Sequence, residues 1–272
     1  MLRARLAAFE SGRDADARVE TGHVVVDLPE VGAATFDDVK RALTERGRLE
    51  LKLVDDDNDV FASAKAPEAG HIAVELDFRV SAPTGAAHGP THYARIACDP
   101  TSSRQACRKR LEDWVEIATA GRIPSSDEIA FGFGPPRTDE PGRSLSPEWR
   151  TYCVERRSLL PEAAVSGAKL AESGRGDSET ATIDIDLTPS AAEAFETVTG
   201  ASVGHRLAIT IDGDVVSAPV VLDKISGGKV RITVGGPEKR ARDEAANLAR
   251  ILRTGTLPLP LVLMSENIVD AP

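Results

Sequence analysis

Four side chains of the types that bind zinc lie close together in the sequence: His88, His92, Cys98 and Cys107. Imidazole nitrogens and cysteine sulfurs are common zinc ligands, so a metal site is the first chemistry to consider. A glycine and a proline between the two histidines prevent them from sharing one helix face, and the cysteine spacing matches no compact zinc motif. We therefore predict no metal site. A metal-dependent hydrolase that uses the histidines and nearby acids is the alternative interpretation.

The acidic run DDDND, residues 55–59, has the composition of a calcium loop. In an EF-hand loop that begins at Asp55, the sixth position must be glycine and the twelfth a bidentate glutamate. Val60 and Ala66 occupy those positions. The run is therefore predicted to be a solvated acidic turn at the end of a strand.

Sequence signatures of phosphate binding and nucleophilic catalysis are missing. Gly132-Phe133-Gly134 is followed by two prolines instead of a helix, and the sequence contains neither G-x-x-x-x-G-K-[ST] nor G-x-S-x-G. The basic residues between Arg104 and Arg110 are interpreted as one solvated helix face. We therefore predict a binding or mechanical module with no catalytic residue and no cofactor, and not an enzyme.

Composition and charge narrow the class of protein further. The chain has 272 residues, with 33 lysines and arginines against 43 aspartates and glutamates, and a formal net charge of −10. This balance argues against nucleic acid as a partner, because phosphate binding depends on cationic side chains, and against an anionic membrane surface. The longest apolar stretch, Leu257–Met264, contains two prolines and is far shorter than the about 20 residues of a membrane-spanning helix. Closely spaced charges near the amino terminus do not fit a signal peptide. We expect a soluble acidic protein without a transmembrane segment.

The three cysteines, Cys98, Cys107 and Cys153, leave two interpretations open. Cys98 and Cys107 could close a short disulfide loop in an oxidising compartment, or both could be buried free thiols. An odd number of cysteines does not by itself define a disulfide framework.

The elements that would position these side chains begin with a small α+β segment. Two short strands flank Thr21-Gly22, which predicts a hairpin. Thr35 is expected to cap a helix whose apolar residues recur at helical spacing. Leucines alternate with charged residues over residues 49–53, which predicts a half-buried strand.

The middle of the chain contains two well-patterned elements and a linker. Apolar and polar residues alternate over residues 72–80, which indicates a strand. Residues 103–120 carry one apolar face at helical spacing, which indicates a helix. Glycine and proline are frequent over Gly132–Pro147, which indicates a loop or hinge, and we place a boundary between two parts of the chain there.

The last part of the chain is the most regularly patterned. Residues 182–187 alternate as a strand, and in the helix that follows Pro189 suits the first turn, while Ser190 with Glu193 has capping-box spacing. The remaining predicted elements are strands over residues 207–211, 215–221 and 230–234, a helix from Pro237 to Arg253 and a final strand from Pro260 to Ser265. The order βαβββαβ predicts an antiparallel sheet covered by two helices, and the fold class is α+β.

Several motifs of this last part occur together, in the same order, in one known family. They are Phe195 with Thr199-Gly200, Gly204–Ile211, Asp212-Gly213, Ser217-Ala218-Pro219, Ile225-Ser226-Gly227-Gly228 and Leu252-Arg253-Thr254-Gly255-Thr256-Leu257-Pro258. With these motifs the chain resembles the first periplasmic domain of SecD, an accessory subunit of the bacterial Sec protein-export translocase. His23–Pro29 and Gly47–Asp55 resemble the base of the same domain. The similarity covers half to two-thirds of the chain and leaves Phe61–Pro147 unmatched.

The resemblance implies a bipartite α+β domain. A ferredoxin-like base is interrupted by a head subdomain with an antiparallel sheet and two helices. Residues 1–60 with 257–272 would form the base, residues 61–148 a variable insertion with its linker, and residues 149–256 the head. A strand over Leu257–Val269 would return to pair in the base.

The resemblance also implies which residues act in binding or as a hinge. They are Phe195, Asp212, Gly213, Ser217, Ala218, Pro219, Gly227, Gly228, Arg253, Gly255, Leu257 and Pro258. Gly255 and Pro258 end a helix and redirect the chain, which is typical of a hinge. A purely architectural role for all of these residues is the alternative interpretation.

In the family, the head is thought to contact a preprotein outside the membrane, and its movement against the base is thought to be coupled to proton flow. The expected partners are therefore unfolded preprotein and the membrane subunits of the Sec translocase, at the extracytoplasmic face of the inner membrane or in the periplasm. SecD also carries membrane helices and a glycine-rich motif near its amino terminus, which this sequence lacks. We expect either a fragment of a membrane protein or a free relative, and a cytoplasmic location stays open. A structural adaptor that docks a folded partner is the alternative function.

Overall fold

The computed structural model describes residues 2–8, 15–28, 33–67, 71–77, 90–99, 101–134, 147–161, 163–171, 180–235, 238–259 and 261–267. The helices within these ranges are α1 (Leu2–Ala7), α2 (Ala33–Thr44), α3 (Arg104–Ala118), α4 (Pro189–Ala201) and α5 (Glu238–Arg253). The strands within them are β1 (Asp16–Glu20), β2 (His23–Asp27), β3 (Leu49–Leu53), β4 (Ile72–Asp77), β5 (Thr91–Ala97), β6 (Asp127–Gly134), β7 (Glu148–Glu155), β8 (Val165–Leu170), β9 (Thr180–Leu187), β10 (Leu207–Ile211), β11 (Asp214–Ser217) and β12 (Lys229–Gly235).

The described strands form a hairpin and two larger sheets. β1 pairs antiparallel with β2, seven strands form a sheet in the order β3-β10-β11-β6-β7-β5-β4, and β12-β9-β8 form a three-stranded sheet. In the seven-stranded sheet β11 runs parallel to β6, and the other neighbours are antiparallel. The predicted α+β class is confirmed.

Two apolar cores fix the helices on these sheets. In the first core, alternate residues of β9 and β12, such as Ile183 and Ile232, pack with Phe195 of α4 and Leu252 of α5. In the second core, Leu111 and its neighbours on α3 pack against β5, β6 and β7. The apolar stripes of the helices thus face the sheets, because burial of apolar surface is the main stabilising contribution to folding.

Several predictions from local patterns are confirmed. Thr21-Gly22 forms the turn of the β1–β2 hairpin. Helix α3 begins directly after Ser103, whose hydroxyl accepts a hydrogen bond from the Ala106 amide as an N-cap. Pro189 is the first residue of α4.

Three other local predictions are wrong. Thr35 lies inside α2, which begins at Ala33, because alanine is a strong helix former. Ser190 likewise lies inside α4, whose N-cap position is Thr188. Gly132–Gly134 belong to β6 instead of a loop, because their backbone pairs with β7.

The structure also corrects predictions that depended on contacts between distant parts of the chain. β10 and β11 join the seven-stranded sheet and not the sheet of β9 and β12. β3 is buried on both faces, since even Glu50 and Lys52 are covered. Residues 261–267 form no strand, so the predicted final strand and its return into the base are not present among the described residues; the Leu257 amide bonds to the Arg46 carbonyl instead.

The strand predicted over residues 72–80 is described from Ile72 to Asp77, and its last three residues lie outside the described ranges. None of the helices in the described part of the chain has the length and apolar composition needed to cross a membrane. The division into base, insertion and head stays a prediction. The pairing of β6 with β7 continues the same sheet on both sides of the predicted linker.

Candidate functional site

The predicted hinge residues meet residues from the amino-terminal part of the chain at one place, which we name the crossing and define as residues 45–48 and 254–258. The Leu257 amide donates to the Arg46 carbonyl at 2.9 Å, and the Arg46 guanidinium donates to the carbonyls of Leu257 and Pro258 at 3.2 and 3.3 Å. The Thr256 hydroxyl donates to the Gly47 carbonyl at 3.2 Å. The predicted residues Gly255, Leu257 and Pro258 thus lie at this junction of two chain segments.

The turn at Asp212-Gly213 is fastened to the crossing through its carboxylate. Asp212 and Gly213 have φ angles of 52° and 88°, as the tight turn between β10 and β11 requires. The Asp212 carboxylate accepts hydrogen bonds from the amides of Gly47 and Arg48 at 3.0 and 2.8 Å. The turn was predicted from sequence, but its second role as an anchor for the segment before β3 was not.

Arg5 of α1 is the main residue of the crossing that sequence reasoning missed. It is 1% exposed and donates to the carbonyls of Glu45, Arg46 and Gly255, the last at 2.6 Å. A lone arginine in a short amphipathic segment carries no spacing signal that identifies such distant partners.

Five of the other predicted residues lie in or directly before residues 218–228, which we name the head loop: Ser217, Ala218, Pro219, Gly227 and Gly228. The Pro219 carbonyl accepts from the Leu207 amide at 3.0 Å, and the Gly228 carbonyl accepts from the Leu187 amide at 2.8 Å. Gly228 has a φ of 63°, and a β-carbon there would lie 2.6 Å from the Ala192 β-carbon. The loop therefore packs on α4 as closely as glycine permits.

The head loop presents two apolar side chains to solvent. Leu222 is 67% exposed and Ile225 is 41% exposed, while the Ile225 amide is tied to α4 through the Thr199 hydroxyl at 3.0 Å.

Phe195 is buried in the first core and is not available for contact with a ligand. Arg253 is exposed in the last turn of α5. Ser217 and Ala218 are half-buried where β11 leads into the loop.

The acidic run after β3 is not a solvated turn, and that prediction is wrong. Asp56 is almost fully buried and pairs with Arg206, whose Nε lies 3.0 Å from the Asp56 carboxylate. Arg206 and Arg150 each donate to one oxygen of Asp77 at 2.6 Å. These four residues form a buried charge network between the turn, β4, β7 and the start of β10.

The network also determines how Asp77 titrates. Burial raises the pKa of Asp77, but the charges and hydrogen bonds of Arg150 and Arg206 outweigh burial and hold that pKa below its ordinary value. Asp77 is therefore ionised at neutral pH and contributes stability that is lost as the pH falls through its folded-state pKa.

A second cluster consists of half-buried Asp55 with buried Asp127 and Cys153, whose potential ligand atoms lie within 4.8 Å of one another. Burial, together with a hydrogen bond to Asp55, raises the pKa of Asp127. Burial and the charges of the two aspartates raise the pKa of the Cys153 thiol to about 12. The thiol is therefore protonated at neutral pH and donates to the Asp127 carboxylate at 3.9 Å.

The cysteines considered as zinc ligands have another partner. Cys98 and Cys107 form a disulfide, so the first of the two interpretations of these cysteines is confirmed and their sulfurs cannot bind zinc. His92 contacts the Asp59 carboxylate at 2.7 Å, and His88 lies outside the described residues.

The basic residues of α3 are only partly a solvated face. Lys109 and Arg110 are exposed as predicted. Arg104 stacks over the Phe133 ring at 4.0 Å, and Arg108 lies 5.2 Å from the Trp149 ring centroid and pairs with Asp214. The sequence signal that was missed is the aromatic residues of β6 and β7, because cationic side chains are attracted to the faces of aromatic rings.

Comparisons with known proteins agree with this architecture. Residues 141–259 match the family model of the SecDF P1 head subdomain. Over 175 residues the chain is 38% identical to the protein translocase subunit SecD of Aquifex aeolicus, covering 64% of this chain and 28% of that protein. Over 152 residues it is 32% identical to SecD of Magnetococcus marinus, covering 56% of this chain and 26% of that protein.

A solved structure supports the fold of the whole chain. It is a chain of SecDF, described as a membrane component that enhances protein export, and it superposes with a TM-score of 0.52 at 21% identity over 98% of this chain and 90% of that chain. Residues 141–259 are similar in sequence to the SecDF P1 head subdomain, and the resemblance to the first periplasmic domain of SecD is confirmed. The chain spans roughly a quarter to two-fifths of the curated SecD proteins of Magnetococcus marinus, Aquifex aeolicus and Anaeromyxobacter dehalogenans, namely 26%, 28% and 41% of their lengths.

Proposed function

We propose that this chain is a non-enzymatic accessory domain of the Sec protein-export machinery that contacts extended polypeptide outside the membrane. The observation that carries the proposal is the match of residues 141–259 to the SecDF P1 head subdomain. The proposed partners are unfolded preprotein and the membrane subunits of the Sec translocase.

The surface of the head supports contact with an extended chain. Leu222 and Ile225 of the head loop are exposed apolar side chains directly beside the family motif residues Pro219 and Gly227. β8 and β12 lie at the two edges of the adjacent three-stranded sheet. An extended peptide binds to a sheet edge through main-chain hydrogen bonds, and shallow apolar contacts add weak side-chain selectivity.

The disulfide supports an extracytoplasmic location at the inner membrane. Cys98 and Cys107 are joined between the end of β5 and the first turns of α3. Structural disulfides persist in oxidising compartments and are rare in the reducing cytoplasm. The proposed base, insertion and head, with a hinge at Gly255 and Pro258, would then lie on the outer side of the membrane.

Site-specific photocrosslinking tests the proposed contact. A photoreactive residue is placed at Leu222 or Ile225 in the full-length native protein, and at Ile117 of α3 as a matched exposed apolar control. With a stalled export substrate, we expect adducts at both head-loop positions and a several-fold lower yield at Ile117. Equal yields at all three positions, or adducts only with a folded protein, would contradict polypeptide binding by the head; the second result would favour the adaptor function.

A further inference from the structure

Helix α1 is described over Leu2–Ala7. Its packing connects it to two other helices. Leu6 is buried against Val39 of α2 and Ile251 of α5, so two helices that are distant in sequence share one apolar contact with α1.

Arg5 adds a polar attachment beside Leu6. Its guanidinium donates to the carbonyls of Glu45 and Arg46 on one segment of the crossing and to Gly255 on the other. The planar guanidinium presents several donors in fixed directions, so one side chain holds both segments at once. Arg3, on the same helix, donates to the Ala17 carbonyl, which lies outside the crossing.

The crossing is packed tightly around this side chain. A β-carbon on Gly47 would lie 2.5 Å from the Ile251 side chain and 3.1 Å from the Arg5 guanidinium. The Gly47 and Arg48 amides of the same segment donate to the Asp212 carboxylate. The segment before β3 is therefore bonded to both α1 and the β10–β11 turn.

We propose that α1 is a releasable pin for the crossing: docked through Arg5 and Leu6, it holds residues 45–48 against residues 254–258, and its release allows the two segments to separate. The device concerns the conformation of the domain itself and does not depend on the proposed role in export. It controls the place where the chain leaves α5, which is the position of the predicted hinge.

Native-state hydrogen exchange of the full chain tests this proposal. The probes are the amide of Leu257, which bonds to Arg46, and the amides of Gly47 and Arg48, which bond to Asp212. In Arg5→Met we expect these amides to exchange at least about tenfold faster, while the amides of β9 and β12 change by less than about twofold, because the opening is local. Leu6→Ala is expected to reproduce the same pattern, since it loosens the same helix by a different contact.

Arg3→Met is the matched control, since Arg3 lies on the same helix with an exposed side chain. It should leave the exchange of the crossing unchanged. Arg5→Lys serves as a milder variant in case Arg5→Met unfolds, and it should accelerate the crossing amides by a smaller factor. The proposal is overturned if the crossing stays protected in both Arg5 variants, or if exchange rises equally in β9 and β12.

Discussion

The turn after β3 contains a buried charge, Asp56. Asp56 is covered by Arg206, and Arg206 and Arg150 share Asp77. Burial of a single charge without its partner is costly, and removal of one partner from a buried pair exposes this cost. The acidic run that looks in sequence like a solvated turn therefore holds parts of one sheet together.

Arg206→Met should lower the free energy of unfolding by roughly 3–5 kcal/mol, because Asp56 would remain buried without its main cationic partner. Urea denaturation at neutral pH measures the change. Lys229→Met removes a comparable ion pair with Asp186 on the solvent face of β12 and should have no measurable effect. Equal effects of the two substitutions would show that burial of the pair is unimportant.

Asp127→Asn should stabilise the protein increasingly as the pH rises. The pKa of Asp127 is raised in the folded state, so its contribution to stability is complete below its unfolded pKa and is lost as the pH rises through the folded pKa. Asparagine keeps the shape and cannot ionise. Urea midpoints of the variant and the wild type should coincide near pH 4 and separate by pH 8. The exposed Asp243→Asn is the control, and the same pH dependence in it would contradict this explanation.

At the scale of elements, the connections between strands and helices carry much of the specificity. The disulfide ties β5 to α3, Arg108 of α3 pairs with Asp214 of β11, and the head loop packs on α4 through Gly228. The last two connections join elements that no local sequence pattern relates.

Removal of the disulfide in Cys98→Ser/Cys107→Ser should lower the free energy of unfolding by roughly 2–3 kcal/mol, as loop-closure entropy predicts for a short loop. The two cysteines are 9 residues apart. Thermal unfolding with and without reductant measures the effect. Reductant should destabilise the wild type and leave the double variant unchanged; a wild type insensitive to reductant at its unfolding midpoint would contradict the prediction.

Gly228→Ala should destabilise the protein more than Gly213→Ala. Both positions have positive φ angles, 63° and 88°, and a left-handed conformation costs an ordinary residue roughly 1–2 kcal/mol. Only at Gly228 would the added β-carbon also meet another atom, the Ala192 β-carbon at 2.6 Å, whereas nothing lies within 4 Å at Gly213. Chemical denaturation compares the two variants, and equal losses would show that α4 moves to make room.

At the scale of the whole molecule, the seven-stranded sheet links parts of the chain that the family resemblance separates. The parallel pairing of β11 with β6 joins β3 and β10 on one side to β7, β5 and β4 on the other. The ion pair of Arg104 with Glu244 adds a contact between α3 and α5. The region that was unmatched in sequence is therefore part of the same sheet as the matched strands.

This continuity predicts one cooperative unfolding transition. Trp114 and Trp149 report on the packing of α3 against β7, and far-ultraviolet circular dichroism reports on all helices and strands. The denaturation midpoints from tryptophan fluorescence and from circular dichroism should coincide, as two-state unfolding requires. A tryptophan transition at clearly lower denaturant would show that the insertion unfolds independently.

Features that depend on residues close together in the sequence were predicted better than contacts between distant residues. The hairpin turn at Thr21-Gly22 and Pro189 in the first turn of α4 were predicted correctly, because turns and helix starts depend on residues a few positions apart. Arg5 at the crossing and Asp56 in the charge network were missed as functional contacts, because their partners are more than 30 residues away in sequence. Gly255 and Leu257 were selected from the family motif, and their roles stay predictions.

The sequence by itself determined the α+β class, most strands and helices, and the resemblance to the first periplasmic domain of SecD, since periodicity and motif order are properties of neighbouring residues. Only the tertiary structure decided which sheet β10 and β11 join, that Cys98 pairs with Cys107, and that α1 reaches the crossing. The reason is that strand pairing and burial are chosen among distant segments by the total apolar area and hydrogen bonding of the folded chain. A local sequence pattern is compatible with several strand pairings, and only one pairing buries the apolar faces and forms the hydrogen bonds of all segments together.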